Sequence, residues 1–174
     1  MPNNLEYLLV ILKEQAELIE NINTRNSFRY KSNYRLILET GKPFLNKLEP
    51  PPFKGKPKSC FENCLQGLWN YPELYYCEGF AVTDNVSIAA SHAWLLNDEA
   101  EVVDPTWTGE IFTGCTYFGV VFDTEFVFDY ANKTKHYGIL DSDYMNKHQL
   151  LREGFPEGAL HEKFHPSACD SNQA

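Results

Sequence analysis

The chain of 174 residues lacks any long apolar run, its longest uninterrupted aliphatic stretch being Leu8 to Leu12, far too short to cross a bilayer. It also lacks a secretory core followed by small cleavage residues, so the sequence predicts a soluble, cytoplasmic protein with no membrane partner. C-x-x-C pairs are missing. The five cysteines (Cys60, Cys64, Cys77, Cys115, Cys169) are odd in number and without framework spacing, which argues against a disulfide scaffold or a cysteine zinc site and for reduced thiols. Basic residues are scarce after position 58: residues 1–58 hold ten Lys/Arg against six Asp/Glu, whereas 59–174 hold five against eighteen. Such an acidic part repels phosphate backbones, and no nucleic-acid partner is expected; Arg25, Arg29, Lys31 and Arg35 meet an acidic partner or, preferably, the chain's own acidic part. Internal repeats are absent as well.

What is present describes a packed protein: 43% hydrophobic and 14% aromatic residues against 22% charged. The length predicts one domain over 1–174, with a helical part at 1–41, a Pro-rich connector at 42–58, a core at 59–141, C-terminal helices at 142–165 and a loose tail at 166–174. Leu5, Leu8, Leu9, Leu12 and Ile19 recur at helical spacing opposite Glu6, Lys13, Glu14 and Glu17, and a second helix is expected over 27–38, stopped by Gly41. The connector, with Pro43, Pro50, Pro51, Pro52 and Pro57, reads as extended chain, either a plain linker or one wall of a groove. Ser59 with Glu62 three residues later forms a capping-box pattern for a helix over 60–69. Segments 74–83, 87–96, 101–104, 115–122 and 125–130 are rich in β-branched and aromatic residues between turn signals, and a late helix is expected over 142–151. The fold class expected is α+β, with a largely antiparallel sheet.

Cys60 stands at the predicted start of a helix, where unpaired N–H groups and the helix dipole favour a thiolate, while Cys64 lies one turn inside and is expected to pack. Downstream, His92 opens one strand and Asp104 ends the next, supplying the base and the orienting carboxylate that thiol catalysis needs. Hairpin parity tests this pairing. A three-residue loop at Asn97-Asp98-Glu99, pairing Leu96 with Ala100, sets His92 directly opposite Asp104 on one face. A two-residue turn at Asp98-Glu99 pairs His92 with Pro105 and sends the carboxylate to the wrong side unless a bulge intervenes.

Cys60-Phe61-Glu62-Asn63, Tyr76-Cys77-Glu78-Gly79-Phe80-Ala81, His92-Ala93-Trp94 and Val103-Asp104-Pro105-Thr106, in this order, make residues 57–130 resemble the transglutaminase-like branch of the papain-like cysteine enzymes, in its small bacterial and phage form. The resemblance implies a papain-like fold with a nucleophile helix packed on the sheet. It also implies acyl-enzyme chemistry on a peptide or protein amide: Cys60 as nucleophile, His92 as base and then acid, Asp104 orienting His92. Peptidase, glutamine deamidase and transglutaminase-like outcomes stay open. The upstream Gln that often supports the oxyanion in such enzymes is missing from 42–59, leaving the Cys60 N–H as the default donor. No cofactor is implied, and no D-x-D-x-D-G loop suggests calcium.

Other residues carry two readings. Glu78 is a strand residue beside a close backbone approach at Gly79, or a substrate-facing carboxylate; Trp94 and Trp107 are core or groove wall, or substrate-binding residues that shield the thiol from water. His161-Glu162-Lys163-Phe164-His165 satisfies the H-E-x-x-H zinc-peptidase pattern, but Gly154, Pro156, Gly158 and Pro166 crowd the helix it needs, and no metal site is expected. The remaining alternative is a binding or structural protein that keeps the fold with a silent triad.

Overall fold

Leucines one turn apart explain the first element. In the computed structural model, which describes residues 3–166, helix α1 (Asn4–Ile22) buries Leu8, Leu12 and Ala16 and starts at Asn3, whose side chain accepts from the Glu6 N–H. Helix α2 (Asn33–Thr40) ends at Gly41 as expected but begins six residues later than the sequence suggested, because the Ser32 hydroxyl accepts from the Arg35 N–H and the preceding chain is tied elsewhere, Tyr30 N–H to Leu151 O. The connector opens with a short strand, β1 (Lys42–Phe44), then runs without regular structure to α3 (Cys60–Asn70).

Four further strands follow: β2 (Tyr75–Thr83), β3 (Val86–Leu96), β4 (Val102–Val103) and β5 (Thr116–Val121). They join β1 in an antiparallel sheet of order β1-β5-β2-β3-β4, so the protein is α+β. The sheet alternation divides the interior in two. Tyr76, Phe80, Ala93, Leu95 and Val120 face one side, where Leu8 and Leu12 of α1, Leu36 and Ile37 of α2, and Cys64 and Leu68 of α3 cover them. Cys77, Ala81, Trp94, Leu96, Tyr117 and Val121 face the other side, closed by Phe44, Phe164, Trp107 and Phe112. Among the described residues no helix is long and apolar enough to cross a membrane.

Two expectations are corrected. The segment 125–130 is not a strand but part of helix α4 (Thr124–Thr134): the Asp123 carboxylate accepts from the Phe126 N–H, and Val127, Tyr130 and Thr134 then fall on one buried stripe. Its aromatic richness is a helix face. The late helix over 142–151 is split into a 3-10 turn at Asp143–Asn146 and a short α5 (Gln149–Glu153), with Lys147 and His148 both left-handed between them. Asp143 causes the break, its carboxylate accepting from the Leu150 N–H and Leu151 N–H as well as from Tyr130 OH. From Gly154 to Pro166 there is no helix, and the expected loose tail lies, from residue 167 onward, outside the described residues.

Asp123→Ala removes the cap of α4 and is expected to cost about 1 kcal/mol of stability; urea unfolding with an unchanged slope checks it.

Candidate active site

The hairpin between β3 and β4 decides where His92 and Asp104 stand. Its loop has three residues, but they are Asp98-Glu99-Ala100: Asn97 N–H donates to Glu101 O and Ala100 N–H to Asn97 O, both at 3.1 Å, and Ala100 adopts a left-handed φ of 61°. The ladder then pairs Leu96 with Val102 and Leu95 with Val103, not Leu96 with Ala100. Direct opposition of His92 and Asp104 is therefore corrected to a diagonal relation two residues out of register, just past the end of β4. Odd loop length still keeps both side chains on one face.

They meet there. His92 Nε2 and Asp104 Oδ2 are 2.8 Å apart, both buried. The other contacts of the carboxylate complete its coordination: Tyr117 OH donates to Oδ2 at 2.9 Å, and the Thr106 and Trp107 N–H groups donate to Oδ1 at 2.8 and 3.0 Å. Burial works against ionisation of Asp104, but the charge and hydrogen bond of His92 and the two N–H groups outweigh it and hold its pKa below the usual carboxylate value. Burial likewise opposes the imidazolium. The Asp104 charge and hydrogen bond, with smaller contributions from a hydrogen bond and the charge of Cys60, prevail and raise His92 to about 9. With Nε2 committed to Asp104, Nδ1 is the ring nitrogen left for a thiol.

Cys60 supplies a thiol at the first position of α3, half-buried and near enough to the His92 ring to contribute to its raised pKa. The capping box expected at Ser59 is not formed: the Ser59 side chain makes no cap bond, and Glu62 turns instead to Lys56 at 3.0 Å and to Gln66. The first helical bond is Asn63 N–H to Ser59 O, so the N–H groups of Cys60, Phe61 and Glu62 have no partner among the described residues. These donors lie in the first turn of the helix that carries the sulfur. The remaining described cysteines are poor nucleophiles, since burial raises the thiol pKa of Cys64, Cys77 and Cys115. Cys169 lies outside the described residues.

Two positioning residues had weak sequence signals. Asn63, within the quoted Cys60-to-Asn63 string, clamps the connector to α3 by accepting from Lys56 N–H and donating to Lys56 O, and it donates to Thr106 Oγ1 at 2.8 Å. It thus ties the helix of the thiol to the loop of the carboxylate, while Gly55 N–H donates to Pro105 O from the connector. The connector is a wall beside the Asp104 loop. Tyr117 could be placed only once the sheet order β5-β2-β3 was known.

The aromatic and acidic candidates separate. Trp107 stacks on His92 with ring centroids 4.2 Å apart, and it also stacks on Phe112 at 5.4 Å. Trp94 is fully buried over Gly119, so a substrate-binding role for it is corrected to core packing. Glu78 is also corrected. It is 1% exposed on the helix-covered face, and both oxygens are taken by the chain itself, by Tyr76 OH and by the N–H groups of Ile139 and Leu140. The close approach at Gly79 is present, a Cβ there running into Phe118 O.

The H-E-x-x-H segment at 161–165 is a turn rather than a helix, and His165 Nε2 accepts from the Val121 N–H at 2.9 Å. That lone pair is therefore not free for a metal. Among the described residues no group of three or more His, Cys, Asp or Glu side chains is placed to hold one.

The pair has a definite pH signature. Because the folded pKa of His92 is raised, its contribution to stability is full below about 6.5 and is lost as pH rises through about 9. The depressed Asp104 contributes above its unfolded value and loses that contribution as pH falls through its folded one. Asp104→Asn removes the largest contributions that oppose burial and is expected to bring the His92 pKa down, which NMR titration of the imidazole reads directly. Compared with known protein families, with curated proteins and with solved structures, the chain matches none.

Proposed function

We propose that the protein is a cysteine-dependent amide hydrolase or acyltransferase of the transglutaminase-like, papain-like kind, with Cys60, His92 and Asp104 as its triad. The observation that carries this reading is the buried 2.8 Å His92–Asp104 bond, on an imidazole whose raised pKa the half-buried Cys60 at the head of α3 supports. An imidazolium beside a sulfur favours the sulfur anion, the reactive form of a thiol.

The sulfur attacks the amide carbonyl carbon, forming a C–S bond and moving the carbonyl π pair to oxygen. Free N–H groups at the start of α3 supply donors for that oxyanion. When the tetrahedral species collapses the C–N bond breaks, the leaving amine takes a proton from His92, and a thioester remains on Cys60. Water or a second amine then gives its proton to His92 and forms a C–O or C–N bond to the thioester carbon, and collapse breaks the C–S bond, returning the Cys60 sulfur anion beside the imidazolium. A peptide or protein amide is the substrate class, Trp107 shields the imidazole, and no cofactor enters any step.

At pH 7 iodoacetamide is expected to alkylate Cys60 at least about tenfold faster than Cys64 or Cys77, and His92→Ala to slow that labelling by about tenfold or more. Peptide mass spectrometry of the labelled chain measures both. Equal labelling of all cysteines, or an unaffected His92→Ala variant, would remove the proposal in favour of a silent fold.

A further inference from the structure

Strand β3 is covered only in part on the side away from β2. Its ladder to β4 holds Leu95 and Leu96 alone, so from Val86 to Trp94 no strand lies beside it there. Its backbone groups can be assigned a direction. The Asn97 N–H points out to Glu101 O, and alternation sends the N–H and C=O groups of Ala89 and Ser91 the same way, while Ala90 and His92 turn theirs to Ala81 and Gly79 of β2. Among the described residues the outward groups of Ala89 and Ser91 have no backbone hydrogen-bond partner, and Ser91 is exposed. Val86-Ser87-Ile88-Ala89-Ala90-Ser91 carries no charged residue and no proline, the usual protection of an open edge.

A pocket of about 410 Å³ runs along this edge, between it and α1. Ile11, Tyr34, Ile88 and Ala89 give it apolar walls, Glu14 is its only charged lining group, and Tyr7 OH donates to Ser87 O at 2.8 Å. An added strand places alternate side chains on the face of Ala89, where this pocket opens. We propose that the open edge of β3 at Ala89–Ser91 binds an extended polypeptide segment as an added strand, one apolar side chain of the segment filling the pocket against α1. A second copy paired edge to edge, with its helices on the same side, would bring only Ser87, Ala89 and Ser91 to the pocket, all too small to fill it. Ala89 lies roughly 10 Å of strand before His92. On the acyl-transfer reading, on which this one step rests, the substrate is therefore an extended protein segment and not a small free amide; the docking itself does not need that reading.

NMR of the isotope-labelled full chain with a positional-scanning library of acetylated, amidated octapeptides tests the edge. Mixtures fixed with Leu or Phe at one position are expected to shift the Ala89 and Ser91 amide signals and raise their exchange protection about tenfold at saturation. They should bind at least about fivefold more tightly than mixtures with Gly or Glu there, and Ile11→Ser should erase that preference. The best peptide, remade with N-methyl groups along its pairing edge, should lose at least about tenfold in affinity, and Ala89→Pro, which removes an outward N–H and no bond to β2, should do the same. The N-methyl comparison decides the matter where Ala89→Pro does not fold. Unperturbed Ala89 and Ser91 amides, or equal binding of the N-methylated peptide, would overturn the docking. So would protection of those amides that arises without peptide and grows with protein concentration, the mark of a second copy. Saturating peptide is expected to slow iodoacetamide labelling of Cys60 at least about threefold, and an unchanged rate would refute the link to the triad. A Cys60 that iodoacetamide does not favour would refute the acyl-transfer reading and leave the docking result standing.

Discussion

The arrangement turns on one buried contact, the bond between the His92 imidazole and the Asp104 carboxylate at the end of a two-stranded ladder. An unpaired carboxylate at that depth would be costly to ionise, and an unpaired imidazolium equally so. Each makes the other tolerable. The surroundings are consistent with this dependence: Tyr117 and two backbone N–H groups fill the remaining acceptor sites of Asp104, and Trp107 closes over the ring. Asn63 then extends the arrangement to α3, so the helix bearing the thiol is held by the same loop that holds the acid.

Two buried carboxylates on opposite faces of one sheet show what decides such a group's protonation. Asp104 and Glu78 are similarly inaccessible and both are rich in hydrogen-bond donors. Asp104 has a cation beside it and is held below its ordinary value; Glu78 has only neutral donors and is lifted to about 7. The difference lies in net charge within touching distance. It keeps one group ionised at neutral pH and lets the other titrate there.

Much of this was legible in the sequence where local physics is strong. Leucine spacing placed α1, the position of Cys60 at the head of α3 needed only the helix boundary, and hairpin parity tied a common face for His92 and Asp104 to an odd loop without fixing the loop's length. Failures occurred where a single charged side chain outweighed a pattern. Asp123 turned an aromatic run into α4, Asp143 broke a helix that periodicity allowed, and Lys56 drew Glu62 away from the cap of Ser59. The contributions of Tyr117 and the Ile139-Leu140 loop were not legible at all, since they arise from strand order and from a loop 61 residues away from Glu78.

The tip at Asp98-Glu99-Ala100 has a consequence beyond its place on the surface. Exposed hairpin ends usually accept the gain or loss of a residue without harm. Here one codon more or fewer, with the ladder otherwise kept, would invert the alternation of the outgoing strand and turn the carboxylate of Asp104 toward the helices, away from its imidazole. Substitution at this tip is cheap, but a change of its length would part the histidine from its acid.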